Sequence, residues 1–157
     1  MNILFVCTGN TCRSAMAEEM LRTMLKRKGM TGFHIRSAGI AALPGEKASP
    51  PAVAVLKEAG MDLSGHRSSP LNEKLLKEAD VILAMTEGNK AAVLSRYPFV
   101  RERVHTLKEY AGVSGRDILD PYGRPVDVYR RTREEIRNAL GEIIEKWGRT
   151  FSDPKKP

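Results

Sequence analysis

Cys7 and Arg13 bracket the segment Cys7-Thr8-Gly9-Asn10-Thr11-Cys12-Arg13-Ser14, and these residue types in this order suit attack on a bound phosphorus. A thiolate is a soft nucleophile, and a helix N-terminus or a neighbouring cation favours that form of a cysteine. The planar fork of an arginine matches two oxygens of a phosphoryl group. Between them, Gly9 lets the backbone bend closely and Asn10 tolerates a left-handed conformation. The N–H groups of the loop can then curl round an anion at the positive end of the following helix. Ser14 offers a hydroxyl that can donate to the sulfur. The segment is not a Walker A loop, which ends in Gly-Lys-Ser or Gly-Lys-Thr, and it is not G-x-G-x-x-G. Expelling a poor leaving group calls for a proton donor. Asp120 is the candidate, because Pro121 biases it to an extended conformation in a loop able to reach over the phosphate site.

Such a loop needs a strand before it and a helix after it. Residues 2–7 are a short apolar run that fits a fully buried strand. From Ser14 to about Lys28, Met16, Met20, Leu21, Met24 and Leu25 fall on one helical face, and Gly29 stops the helix. The methionines between Met16 and Met61 read as core filler. Further strands are expected at 33–37, 81–85 and 104–107, and helices at 52–59, 87–96 and from about Val128. The closing helix repeats Ile136, Leu140, Ile143 and Trp147 along one face. Residues 38–51 and 112–125 read as loops. Short buried strands alternating with amphipathic helices predict an α/β fold: one small central parallel sheet of about four strands with helices on both faces. In such sheets ligands bind beyond the carboxyl ends of the strands, which points at residues 7–14.

With 157 residues the chain has length for one domain, expected over 1–150, with 151–157 as a frayed tail. Lys and Arg number 26 against 19 Asp and Glu, a net charge of +7. Those cations are scattered among acids rather than clustered with aromatics, so neither nucleic acid nor a membrane surface is an expected partner. No stretch approaches the roughly 18 apolar residues of a membrane span. Two cysteines, Cys7 and Cys12, do not make a secreted disulfide framework, and they are expected as thiols in a reducing cytoplasm.

Cys-x5-Arg-Ser at the start of a small α/β chain resembles the low-molecular-weight protein tyrosine phosphatase family. Ser37-Ala38-Gly39, the stretch from Asp80 to Thr86, and Asp120-Pro121-Tyr122 extend the resemblance over roughly residues 1–148. The resemblance implies a two-step mechanism. Cys7 attacks phosphorus and forms a thiophosphate, and Asp120 protonates the leaving group. Asp120 then activates water, while Arg13 and the amides from Thr8 to Ser14 stabilise the transferring group. It implies no metal and no cofactor. It also implies that Asn10, Ser14, Ser37 and His66 form a network holding the loop. Cys12, in the same resemblance, can form a disulfide with Cys7 and make peroxide inactivation reversible.

Two departures bear on the substrate. Thr11 stands where tyrosine-specific members carry a bulky aliphatic residue, and Leu43 lies near where many place an aromatic wall. Tyr122 remains as a wall, with Gly123 beside it. These features resemble the protein arginine phosphatase branch, which implies a cytoplasmic, stress-related enzyme acting on arginine-phosphorylated proteins, with the chain expected as a monomer. A guanidinium would stack on Tyr122 and pair with Asp120. A tyrosine phosphatase is the alternative. Arsenate reductases share the fold and loop but need further cysteines to relay a disulfide. A phosphoprotein-binding module would be expected to lack the nucleophile or the acid.

Overall fold

Strand β1 (Asn2–Cys7) is followed by α1 (Arg13–Arg27) and β2 (His34–Gly39). Next come α2 (Pro50–Glu58), α3 (Glu73–Glu78), β3 (Val81–Ala84) and α4 (Glu87–Arg96). A 3-10 turn (Pro98–Arg103) leads to β4 (Val104–Thr106), α5 (Leu107–Ala111) and the long α6 (Val126–Phe151). This computed structural model describes residues 1–151. Most of the expected tail, residues 152–157, lies outside the described residues.

Among those residues the strands form one parallel sheet in the order β2-β1-β3-β4. Successive residues of β1 point to opposite faces, and both faces are covered. Ile3, Phe5 and Cys7 join a core with Met16, Met20, Val55, Leu107, Ile136, Leu140, Ile143 and Trp147, from α1, α2, α5 and α6. Leu4 and Val6 join a second core with Leu76 of α3, Val93 of α4, Val100 and Val104. The apolar run at residues 2–7 is continuous because neither face of β1 meets water. Since the chain leaves β1 for β2 on one side and β3 on the other, strand order reverses at its carboxyl end. Cys7 stands at that switch point.

Several boundaries differ from the sequence expectation. β2 runs on to Gly39 because Ala38 and Gly39 pair with Val6 and Cys7. Pro50 and Pro51 open α2 instead of ending a loop, a position where proline's missing N–H costs nothing. Leu107 begins α5, whose start is fixed by a capping box between Thr106 and Glu109. The helix α6 starts at Val126, two residues before Val128. Neither α3, α5 nor the 3-10 turn was expected. Each has five or six residues, too few to show a helical period.

Candidate active site

The carboxyl end of β1 puts Cys7 at the floor of a loop that turns back on it. Ser14 Oγ lies 2.8 Å from Cys7 Sγ, and the Asn10 N–H donates to the same sulfur at 3.3 Å. Asn10 takes the left-handed conformation, at φ 58°. The helix α1 begins here with no side-chain cap and no acid in its first turn. No acceptor among the described residues takes the N–H groups of Gly9, Thr11, Cys12 and Arg13. Unpaired N–H groups at the positive end of a helix make an anion site.

Hydrogen-bond partners decide the orientation of each group around the sulfur. The Ser69 N–H donates to Asn10 Oδ1 (2.9 Å), so the Asn10 amide nitrogen faces the other way. It donates to Ser14 Oγ (2.8 Å) and Ser37 Oγ (2.9 Å). Ser14, already accepting from Asn10, turns its own hydrogen to Cys7 Sγ. His66 Nε2 lies 2.7 Å from the carbonyl oxygen of Asn10, which can only accept, so Nε2 carries the hydrogen. Asn10 is wholly buried and holds five partners at once: Cys7, Ser14, Ser37, His66 and Ser69. Thr8, exposed at the lip, accepts from Asn89 Nδ2 (3.3 Å), whose own Oδ1 is buried without a partner.

The crowded glycine is Gly39, not Gly9. A Cβ at Gly9 would meet Thr11 Oγ1 at an ordinary 3.8 Å. At Gly39 it would lie 2.6 Å from the Thr8 carbonyl oxygen, 2.7 Å from Ala42 Cβ and 3.0 Å from the Asn10 nitrogen. Two of these are backbone atoms of the phosphate loop, which cannot move aside without displacing the anion site. Gly39→Ala is therefore expected to lower kcat/KM about 100-fold, the usual cost of an ångström of misplacement. Steady-state kinetics beside a melting curve check it, and unchanged kinetics would show that the loop accommodates the methyl group.

Arg13 is buried, and its Nη1 donates to the Ile118 carbonyl (2.9 Å) while Nη2 lies 3.6 Å from Asp120 Oδ2. The 112–125 loop is pinned at this point. The Ile118 N–H donates to the Met85 carbonyl (2.8 Å), and Asp117 Oδ1 accepts from the Glu87 N–H (2.9 Å). Asp120 thus stands at the phosphate loop without any closure, half-exposed, its Oδ1 accepting the Tyr122 N–H at 3.1 Å. Tyr122, Leu119 and Leu43 are exposed by 74%, 73% and 64%, apolar groups left facing solvent. Thr11 is half-buried, and its carbonyl accepts from the Ser49 N–H (2.9 Å).

Cys12 is buried, and its sulfur lies 3.2 Å from Ser49 Oγ and 3.5 Å from the Tyr129 hydroxyl. Burial, and after it the contact with Cys12, push the Tyr129 hydroxyl up to about 12, so it keeps its proton at neutral pH. With Ser49 Oγ donating to it at 3.5 Å, Tyr129 has its hydrogen free for Cys12 Sγ.

The structure brings Cys7, Asn10, Ser14, Ser37 and His66 into one hydrogen-bonded network, and sets the Arg13–Asp120 pair beside it at the residue next to Ser14. Sequence reasoning missed Ser49, Ser69, Asn89, Ile118 and Tyr129. Ser69 and Ile118 act through backbone atoms, which leave no mark on residue type. Tyr129 sits in an amphipathic helix pattern where it reads as core.

Residues 2–152 match the family described as low molecular weight phosphotyrosine protein phosphatase. The chain is 44% identical over 146 residues to the protein-arginine-phosphatase of Bacillus subtilis (strain 168), covering 93% of this chain and 96% of that protein. Its fold is similar to that of a C7S mutant of the YwlE arginine phosphatase with a phosphorylated active-site serine. The TM-score is 0.90 at 42% identity over 99% of both chains. It is also similar to a low molecular weight protein tyrosine phosphatase from T. tengcongensis, with a TM-score of 0.88 at 45% identity, covering 93% of this chain and 99% of that one.

Proposed function

Because the chain belongs to the low molecular weight phosphotyrosine protein phosphatase family, we propose that it hydrolyses phosphoarginine in proteins through a thiophosphate on Cys7. The uncapped N-terminus of α1 curled round the Cys7 sulfur carries this reading. A phosphate dianion takes the unpaired N–H groups of residues 9 and 11–13 and displaces Asp120 from Arg13. The Cys7 thiolate attacks phosphorus, the S–P bond forms, and the P–N bond breaks. Its electron pair stays on the guanidino nitrogen, which takes the Asp120 proton. The Asp120 carboxylate then takes a proton from water, whose oxygen attacks phosphorus, and the thiolate leaves as phosphate is released. Arg13 and the loop amides hold the oxygens in both transition states. The phosphorylated serine in the YwlE mutant supports covalent attack.

Arginine is favoured over tyrosine by Thr11 and by the relative named a protein-arginine-phosphatase. A hydroxyl at the half-buried position 11 packs poorly on a phenyl ring and offers a polar contact to a guanidinium. Tyr122 presents a face on which a planar cation can stack, and Asp120 beside it pairs with the same cation. The tyrosine reading keeps the support of the 45%-identical tyrosine phosphatase. Matched phosphoarginine and phosphotyrosine peptides, with Cys7→Ser as the blank, decide between them. A phosphoarginine preference in kcat/KM is expected, and the opposite preference would leave the mechanism and reassign the substrate. Thr11→Ile is expected to shift the ratio toward phosphotyrosine by about tenfold, the order of one well-placed apolar contact. An unchanged ratio would remove Thr11 as the discriminator.

Cys12 completes the proposal. Peroxide oxidises the Cys7 thiolate to a sulfenic acid, and the Cys12 sulfur displaces hydroxide from it to give a disulfide that thiols reduce. The reading places the enzyme in a reducing compartment such as the cytoplasm. Cys12→Ser is expected to stay active and to lose dithiothreitol-reversible recovery after peroxide. Equal recovery in both proteins would rule the disulfide out.

A further inference from the structure

Lys47 and Arg67 stand opposite each other in an isolated antiparallel bridge between the loops that follow β2 and precede α3. Residues directly opposite in such a bridge project to the same face with Cβ atoms about 5 Å apart, and like charges there repel. Both residues are exposed, and neither makes an ion pair among the described residues. Elsewhere the fold relieves close cations with shared acids, as Glu58 does for Arg130 and Arg133. Here the acid in the segment, Glu46, makes no ion pair either, and the Arg67 guanidinium turns back to the His66 carbonyl (2.9 Å).

The pair is tied to the phosphate loop from both sides. Two residues after Lys47, the Ser49 N–H donates to the Thr11 carbonyl (2.9 Å). One residue before Arg67, His66 bonds the Asn10 carbonyl (2.7 Å). At roughly 3.5 Å per extended residue, the two cations emerge within about two residues' length of those contacts. A substrate segment that places its phosphorylated residue in the loop extends past them at a distance of a few residues.

We propose that Lys47 and Arg67 form a docking pair for the carboxylate of an Asp or Glu in the substrate protein, two to four residues from the phosphorylated residue. A carboxylate between them relieves their mutual repulsion and gives the substrate a second anchor. The contact is remote from the reacting atoms and equal in ground and transition states, so it acts on KM and leaves kcat alone. Being exposed, it weakens with salt. This inference rests on the phosphatase reading.

The test uses peptides of one sequence with Glu or Ala at the positions two to four residues from the target, each made with phosphoarginine and with phosphotyrosine. The readout is the Glu-to-Ala ratio of kcat/KM within each protein, so that any general loss of activity cancels. At low salt the unsubstituted protein is expected to prefer the Glu peptide about fivefold, the size of one or two exposed ion pairs, through KM. The Lys47→Ala/Arg67→Ala protein is expected to give a ratio near one, and the Lys47→Glu/Arg67→Glu protein a ratio below one. A ratio of one in the unsubstituted protein, or a preference that survives the double alanine change, overturns the proposal. Failure of the phosphatase reading shows separately, as no Cys7-dependent phosphate release from any peptide. The same ratios taken from peptide Kd values then decide the docking pair.

Discussion

Cys7→Ser is expected to lower kcat by about four orders of magnitude or more while the protein still binds phosphopeptides. Removing a covalent nucleophile costs on that order in enzymes whose reacting groups act as a unit. A hydroxyl in place of the thiol is a far weaker nucleophile at neutral pH, and its hydrogen-bonded neighbour is not a base. The Ser14 hydroxyl accepts from Asn10 and donates toward residue 7, and it cannot take a proton as a neutral base would. The N–H groups of residues 9 and 11–13 and the Arg13 guanidinium do not depend on the sulfur. The anion site therefore persists, and the substituted protein acts as a substrate trap. Phosphate release under multiple turnover and phosphopeptide affinity, measured side by side, check both halves. Activity above about 1% would remove Cys7 as the nucleophile.

Asp120→Asn is expected to lower kcat about 10²- to 10⁴-fold on phosphoarginine or phosphotyrosine peptides, the usual contribution of a positioned acid. The change is nearly isosteric. An amide oxygen can still accept the Tyr122 N–H, and Ile118 still anchors the loop, so the loss reports the proton. An activated aryl phosphate, whose leaving group needs no proton, separates the steps. Its first turnover is expected to stay fast and the following hydrolysis to slow, giving a burst of released phenol. Losing the carboxylate also frees Arg13 from a competing charge 3.6 Å away, so inorganic phosphate is expected to inhibit more strongly. Equal losses on activated and unactivated substrates, without a burst, would make Asp120 a positioning residue and not the acid.

The chemistry of this chain was legible before its fold because it lies in one short segment. Cys7, Arg13 and Ser14 lie within one stretch of eight residues, and the loop that joins them has a local geometry set by a strand end, a left-handed asparagine and a helix start. Residue type and spacing are enough for such a motif. The parallel sheet was legible for a similar reason: a strand buried on both faces must read as a continuous apolar run, and helices of fifteen residues or more show their period. The short helices α3 and α5 were not, being shorter than two turns.

Long-range placement required the tertiary structure. Asp120 is 107 positions from Arg13, and what sets it there is the Ile118 backbone, hydrogen-bonded to Met85 just past β3 on one side and to the Arg13 guanidinium on the other. Gly39 was visible as part of a motif, but its reason was not. A missing Cβ matters only when another backbone comes within 2.6 Å of it. Lys47 and Arg67 read in sequence as two unremarkable surface cations, and a bridge across nineteen intervening positions makes them a pair. The sequence by itself determined which chemistry is available, because reactivity belongs to side chains and their neighbours along the chain. Distances between segments decided which groups share a phosphate, because hydrogen bonds and steric contacts act over a few ångströms whatever the separation in sequence.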